Sequence, residues 1–435
     1  MTRSRRRWLA AGVLAAAGTA LVLAWDWNWF RGPVVAHLAE RSGRQLQVGD
    51  LHLSFDHFPD ATVRLRDVTV DNAPWVRGTR GEPFVRAREL AFTFSWRSLR
   101  AGRPIVSHFR MEDAAIALER NAAGLRNWRL RTPDDTGPGR FRFLRLEAHR
   151  SRLHFVHDGI ALDLRTEARP SPQPDGPRVT RIDFAGRWRG QPFTGAADTS
   201  ATLTFLDTGE PFPLRGTARS QDLQLAVDGT VADLFQLGGL DAAVEVKAPS
   251  LGDLARFAPG RWPASGAVSA AGRVQRAQDL WTVADLKASV GGSDIAGDLR
   301  YNAGADRPFL DALLTSRTLR LQDIAPQAGD DTTRRDPPDL RRLDADVDWR
   351  VRQLDLPAVP PLRQLRVHAR LDDGRLDLSP LQARLADGEL QGRASWDTRA
   401  QPPGARLDMG WRGGRLEQLL PDLPDGGGAT GAGSG

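Results

Sequence analysis

The sequence predicts a mainly β protein, with an N-terminal transmembrane helix and a short amphipathic helix placed ahead of antiparallel strands. Three observations predict it. After Gln45 apolar and polar residues alternate at period two in one segment after another. Asp-Gly hairpin dipeptides separate the clearest of these runs. No strand–helix–strand alternation and no long helical period follows residue 45, which excludes a parallel α/β fold.

The first element is the N-terminal span. Arg3, Arg5, Arg6 and Arg7 precede an uncharged run of 18 residues, Trp8 to Trp25. As a helix it reaches about 27 Å, close to the thickness of a hydrocarbon core. Arginines on one side, and Trp25, Trp27 and Trp29 on the other, match the positive-inside rule and an interfacial aromatic belt. The expected topology puts the N-terminus in the cytoplasm and everything after about residue 26 across the membrane. A cleaved signal peptide is the alternative, with Val22 and Ala24 as small residues before the cut and Ser4–Leu9 resembling a twin-arginine signal. The length of the run and the tryptophans across the cut favour an uncleaved anchor.

Next, Pro33 to Arg41 reads as a short amphipathic helix with Val34, Val35 and Leu38 on one face and Gly43 at its end. Strand patterns follow: Leu51, Leu53 and Phe55; Leu90, Phe92, Phe94 and Trp96; Ile160, Leu162 and Leu164; Leu223, Leu225 and Val227; Val347, Trp349 and Val351. Between the turn dipeptides Asp373-Gly374 and Asp387-Gly388, the residues Leu376, Leu378, Leu381, Ala383 and Leu385 share a face, with a break at Pro380. Loops are expected at 131–140, 168–178, 327–339 and 424–435. A degenerate repeat (Leu251-Gly-Asp-Leu254, Leu321-Gln-Asp-Ile324, Leu416-Glu-Gln-Leu419, each before a proline) predicts single helical turns closing modules of several strands. The expected division is a stub and anchor over 1–25, β-modules over 26–130, 140–326 and 340–423, and a Gly-rich tail over 424–435.

Composition narrows the function. The chain of 435 residues is 40% hydrophobic and 26% charged, enough for a core and too polar for a bundle of membrane helices. It has no cysteine, so disulfides, thiolate chemistry and sulfur-based zinc sites are excluded. A formal charge of +6 raises the question of a nucleic-acid partner. Lysine occurs only at 247 and 287, however, and the arginines alternate with aspartates, as in the segment 342–356. That pattern is a solvated strand face, so no nucleic acid is expected.

No catalytic, metal or cofactor-binding residue is predicted. Phosphate loop, dinucleotide fingerprint and His-Glu-x-x-His are missing from the sequence, and Gly291-Gly292-Ser293-Asp294 lacks the spacing of a nucleophile elbow. His149, His154 and His157, beside Asp158, are expected as surface or loop residues, because strand neighbours three apart face opposite sides. Asp134-Asp135, Asp330-Asp331 and Asp372-Asp373 sit in predicted loops and turns, where aspartate caps backbone. No enzymatic activity is expected.

Successive alternating strands make a sheet with one apolar face, and long helices to cover it are absent from the pattern. The sheet closes on itself as a sandwich or barrel, or it stays an open trough shielded by a lipid-like ligand. Five markers bear on the choice: Asp26-Trp-Asn-Trp-Phe30, Asn72-Ala-Pro-Trp75, Ala123-Gly-Leu-Arg-Asn-Trp128, Val290-Gly-Gly-Ser-Asp-Ile-Ala-Gly297 and Leu371 to Pro380. In that order they resemble the AsmA family of Gram-negative envelope proteins. The resemblance implies an inner-membrane anchor and a periplasmic, elongated, repeating β-groove with short capping helices. It also implies outer-membrane biogenesis, through bridge-like phospholipid transfer or an effect on outer-membrane protein assembly and protein targeting to the membrane. Membrane phospholipids, the inner membrane and other envelope proteins are the implied partners. Leu51, Leu53, Phe55, Leu376, Leu378, Leu381 and Leu385 are the candidate groove residues. Members of that family continue beyond the point where this sequence reads GGGATGAGSG, so a bridge across the whole periplasm is not implied for this chain alone.

Overall fold

A computed structural model describes residues 26–101, 105–128, 142–143, 145–171, 179–200, 203–204, 211–232, 238–257, 266–324, 340–357, 359–399 and 404–415. Arg5, Arg6, Arg7, Trp8 and Trp25 of the predicted anchor lie outside these residues, as do the loops at 131–140 and 327–339 and the tail. Among the described residues no helix is long and apolar enough to cross a membrane. The chain forms two compact units. The first takes in 1–159, 163–170 and 201–203; the second takes in 160–162, 171–200 and 204–435.

In the first unit a 3₁₀ turn, Trp27–Phe30, starts where the Asp26 carboxylate accepts the Asn28 N–H at 2.9 Å. It leads into α1 (Arg31–Ser42), which stops at Gly43, whose φ of +63° glycine adopts at no steric cost. Then come β1 (Leu46–Gln47), β2 (Asp50–His57), β3 (Asp60–Val70), β4 (Val85–Phe94), the short α2 (Trp96–Arg100) and β5 (Ile105–Arg120). These are followed by β6 (Arg142–Phe143), β7 (Arg145–His149), β8 (Ser151–His157) and β9 (Leu162–Ser171). β3 pairs antiparallel with β1, β2 and β4, and β4 with β5. β6, β7 and β8 run parallel to β5, against the expectation of a purely antiparallel sheet. A parallel pair needs a long return connection, and the segment after β5 supplies it. Val68, Ala87, Leu90, Met111 and Ala114 form the buried cluster of this unit, flanked by Phe92 stacked on Phe109 at 4.6 Å.

Two strand expectations end early here. Trp96 does not extend β4: it opens α2, its N–H held by the Asp60 carboxylate at 3.0 Å, and it is 50% exposed. Ile160 sits in a 3₁₀ turn (Asp158–Ile160) set up by Asp158-Gly159 and is exposed. Conversely, β9 runs on through Ala168 to Ser171, inside a segment read as loop.

The second unit is a run of strands, each next to the one before. They are β10 (Val179–Trp188), β11 (Gln191–Ser200), β13 (Phe212–Ser220), β14 (Leu223–Val231) and β15 (Leu240–Ala248), with β12 (Leu203–Thr204) divided between the units. After the helical turn α3 (Leu251–Ala255) come β16 (Val268–Ala277), β17 (Leu280–Val290), β18 (Ser293–Asn302) and β19 (Phe309–Arg320). After α4 (Leu321–Ile324) come β20 (Asp344–Leu356), β21 (Val359–Asp372), β22 (Arg375–Leu385), β23 (Gly388–Asp397) and β24 (Gly404–Arg412). All neighbouring pairs are antiparallel except β19–β20, which follows the long segment after α4 and is parallel. The first two members of the degenerate repeat are therefore single helical turns after a strand; the third, Leu416–Leu419, lies outside the described residues.

The turns are mostly two-residue loops with positive φ, as at Asp373-Gly374 (45° and 80°). The next turn is displaced by one residue from expectation. Ala386 and Asp387 occupy it, with φ of 48° and 63°, while Gly388 pairs with Leu385 in the ladder. Its glycine serves packing: a Cβ there would come within 2.6 Å of the Trp411 indole nitrogen.

Candidate functional site

Cross-strand register aligns one apolar residue from each of twelve strands of the second unit. The row reads Leu214, Gly229, Ala242, Val274, Val283 and Leu299, then Ala312, Val347, Ala369, Leu378, Ala394 and Leu407. One position along each strand, the partners are Pro213, Thr230, Asp241, Gln275, Thr282 and Arg300, then Asp311, Asp346, Arg370, Asp377, Ser395 and Arg406. Since successive side chains alternate between faces, one face of this sheet is apolar along the row and the other is polar from Thr230 onward.

The break at Pro380 is what keeps the predicted residues together. Leu378 pairs with Ala394 and Leu381 with Gly392, so Ser379 and Pro380 together oppose Arg393. This bulge shifts the alternation by one and returns Leu381, Ala383 and Leu385 to the face of Leu376 and Leu378. Leu376 and Leu378 line an open cavity of about 250 Å³ with Ala394, Trp396, Ala405 and Leu407. Leu381 and Leu385 pack instead on the buried cluster of Leu319, Val351, Leu362, Leu365 and Ala383. Across this unit the strands of the described residues make their main contacts with hydrogen-bonded neighbours, and α3 and α4 pack on β15, β19 and β20. Most of the apolar row is consequently half-buried, and Leu407 is 74% exposed.

In the first unit Leu51 and Leu53 head comparable rows, Leu51–Leu65–Leu90–Met111–Ala148 and Leu53–Val63–Phe92–Phe109–Leu146. Leu51 is buried and Leu53 half-buried. Phe55 departs from the pattern. The β2–β3 register slips between Ser54 and His57, and Phe55 is 51% exposed there. Trp27 and Trp29 flank Asn28 in the turn before α1, with Trp29 59% exposed.

The polar candidates turn out to build structure. Gly291-Gly292 is the hairpin turn between β17 and β18. Ser293 is 2% exposed; its hydroxyl donates to Asp323 at 2.8 Å and accepts the Arg320 N–H at 2.8 Å. Asp294 accepts the N–H groups of Arg317 and Thr318, which, against the opposing effect of burial, hold its carboxyl below the usual range. His154 is buried rather than on the surface, its Nδ1 2.9 Å from Glu82 and its Nε2 3.0 Å from Asp163. Asp158 is exposed. Among the described residues no three His, Asp or Glu side chains are grouped to hold a metal ion.

Sequence reasoning missed a buried polar knot in the first unit. Asn127, fully buried, donates to Asn72 at 2.9 Å and to the Ala117 carbonyl at 2.8 Å, and accepts the Glu119 N–H at 2.8 Å. The Glu119 carboxylate, 1% exposed, accepts the N–H groups of Arg77 and Thr79 and the Thr79 hydroxyl. Burial alone raises its pKa, yet these donors outweigh burial and lower it. The segments Asn72–Trp75 and Ala123–Trp128 are thus two halves of one lock.

Comparison with known proteins finds similarity to the same family that the sequence motifs resemble. Residues 332–435 match the model of the AsmA family. Over 281 residues the chain is 27% identical to the AsmA family protein YhjG of Escherichia coli strain K12, an alignment covering 57% of this chain and 41% of that protein. The chain therefore spans less than half the length of the curated relative it matches. No solved structure matches it.

Proposed function

We propose, from its similarity to the AsmA family, that the protein is an inner-membrane-anchored periplasmic protein of outer-membrane biogenesis that carries phospholipid in an apolar β-groove, without catalysing a reaction. The observation that carries the proposal is the row from Leu214 to Leu407. Twelve strands at a spacing of about 4.8 Å make an unbroken apolar path of roughly 50 Å. Water against such a surface costs about 25 cal/mol per Å², so acyl chains laid along it are stabilised without a specific hydrogen bond. Along the row Gly229, Ala369 and Ala394 are small and half-buried, while Ala242 and Ala312 are buried beneath their neighbours. Arginines and aspartates on the opposite face stay in solvent, paired as Arg273–Asp241 and Arg215–Asp228 are.

The test is a photo-crosslinking residue placed singly in the full chain in cells. At Leu378 or Leu53 it captures phospholipid; at Asp377 or His52, on the opposite strand face, it does not. A folded protein that captures no lipid from Leu378 refutes the proposal and favours a non-lipid-binding scaffold or regulator of outer-membrane protein assembly.

A further inference from the structure

Helix α1 turns its apolar ridge outward. Phe30, the last residue of the 3₁₀ turn, and Val34 and Leu38 of the helix recur every four residues, so they stack along one face, and they are 45%, 38% and 43% exposed. Val35 and Ala39, about a quarter turn round, are half-buried. A helix that only supported the sheet would turn its ridge inward. The helix and the turn before it are nonetheless fastened to the sheet: Asn28 of the turn accepts the Leu51 N–H at 2.9 Å and donates to Asp50, and the guanidinium of Arg31, the first helix residue, donates to the Gly49 carbonyl.

The sequence indicates what meets the ridge. A single residue, Asp26, separates Trp27 from the uncharged run that ends at Trp25. If that run crosses a bilayer, α1 starts at its surface, where the amphipathic rings of Trp27 and Trp29 are at home. By helical position Arg31 and His37 border the ridge, while the acidic Glu40 falls on the far side, as suits an anionic lipid surface.

We propose that α1 lies in the headgroup layer with Phe30, Val34 and Leu38 inserted, and so holds the Leu51 end of β2 against the membrane. The proposal rests on reading Trp8–Trp25 as a transmembrane span. Since the chain has no cysteine, one introduced cysteine can be labelled uniquely. The full chain carrying Val34→Cys, Leu38→Cys, Ala36→Cys, Glu40→Cys or Ala16→Cys is labelled with a nitroxide in vesicles of phosphatidylethanolamine and phosphatidylglycerol. Collision with oxygen, which concentrates in lipid, is then compared with collision with a water-soluble nickel chelate.

Oxygen dominates several-fold at 34 and 38, and the chelate at 36 and 40, if α1 lies on lipid. Chelate access at 34 and 38, or exclusion of both probes there by covering protein, overturns the inference. Ala16 reports on the span independently. Lipid contact at 16 with water at 34 and 38 rejects the surface helix alone, while the reverse pattern supports the helix and rejects the span.

Discussion

Placing the same charge at two positions on one sheet tests whether its apolar face is open. Val351 is 2% exposed within the cluster of Leu319, Leu362, Leu365 and Ala383. Leu378 is half-buried, has Ala369 and Ala394 as register partners, and opens on the cavity of about 250 Å³. Full burial of a leucine is worth about 1.5–3 kcal/mol, so Leu378→Asp forfeits roughly 1 kcal/mol of it. The poor strand propensity of aspartate adds up to about 1 kcal/mol, while the carboxylate reaches water through the cavity. The expected loss is about 1–2 kcal/mol. Val351→Asp forfeits a full burial and also desolvates an unpaired charge, for a loss above about 4 kcal/mol. The assay is urea unfolding of the full chain in detergent, followed by tryptophan fluorescence, with midpoints compared at a common slope. Equal destabilisation by the two substitutions would refute the open face, because Leu378 would then be covered like Val351.

The other predictions concern what positions that face. Asn127→Ala should cost about 3–5 kcal/mol, since the buried Glu119 N–H and Ala117 carbonyl lose their partner, and thermal unfolding of the variant checks it. Ser293→Ala should lose about 1–3 kcal/mol while leaving lipid capture at Leu378 unchanged; loss of capture in a folded variant would instead reveal a functional hydroxyl. Hydrogen bonds from Arg150, then from Arg88, lower the Asp113 carboxyl from 3.8 to about 2. Because the folded value is the lower one, its contribution to stability is present above about pH 4 and is lost as pH falls through about 2. In Arg150→Ala the Asp113 titration followed by carboxyl carbon NMR should move up toward the ordinary value, and an unmoved titration would count against this pairing.

Much of the candidate surface was legible because strand alternation is local. A residue's face follows from its parity, so Leu51, Leu53, Leu376 and Leu378 could be assigned from spacing alone. Even the parity change after Pro380 was visible, because proline interrupts a ladder. Phe55 was not legible: the slip that exposes it arises from pairing with β3, which spacing within β2 does not record. The turn at Ala386-Asp387 was misplaced by one residue because Gly388 answers to Trp411, more than twenty residues away.

What the sequence by itself determined is the β class, the period-two faces, the stop of α1 at Gly43 and the single helical turns at 251–254 and 321–324. Each depends on the steric preferences of a few consecutive residues. Tertiary structure alone decided the parallel pairings, the lock between Asn72 and Asn127, the burial of His154 and Ser293, and the alignment of twelve apolar residues into one row. Those features depend on which distant strands become neighbours, and neither side-chain spacing nor composition carries that information. A buried asparagine and a turn asparagine read alike until the partner arrives from 55 residues away.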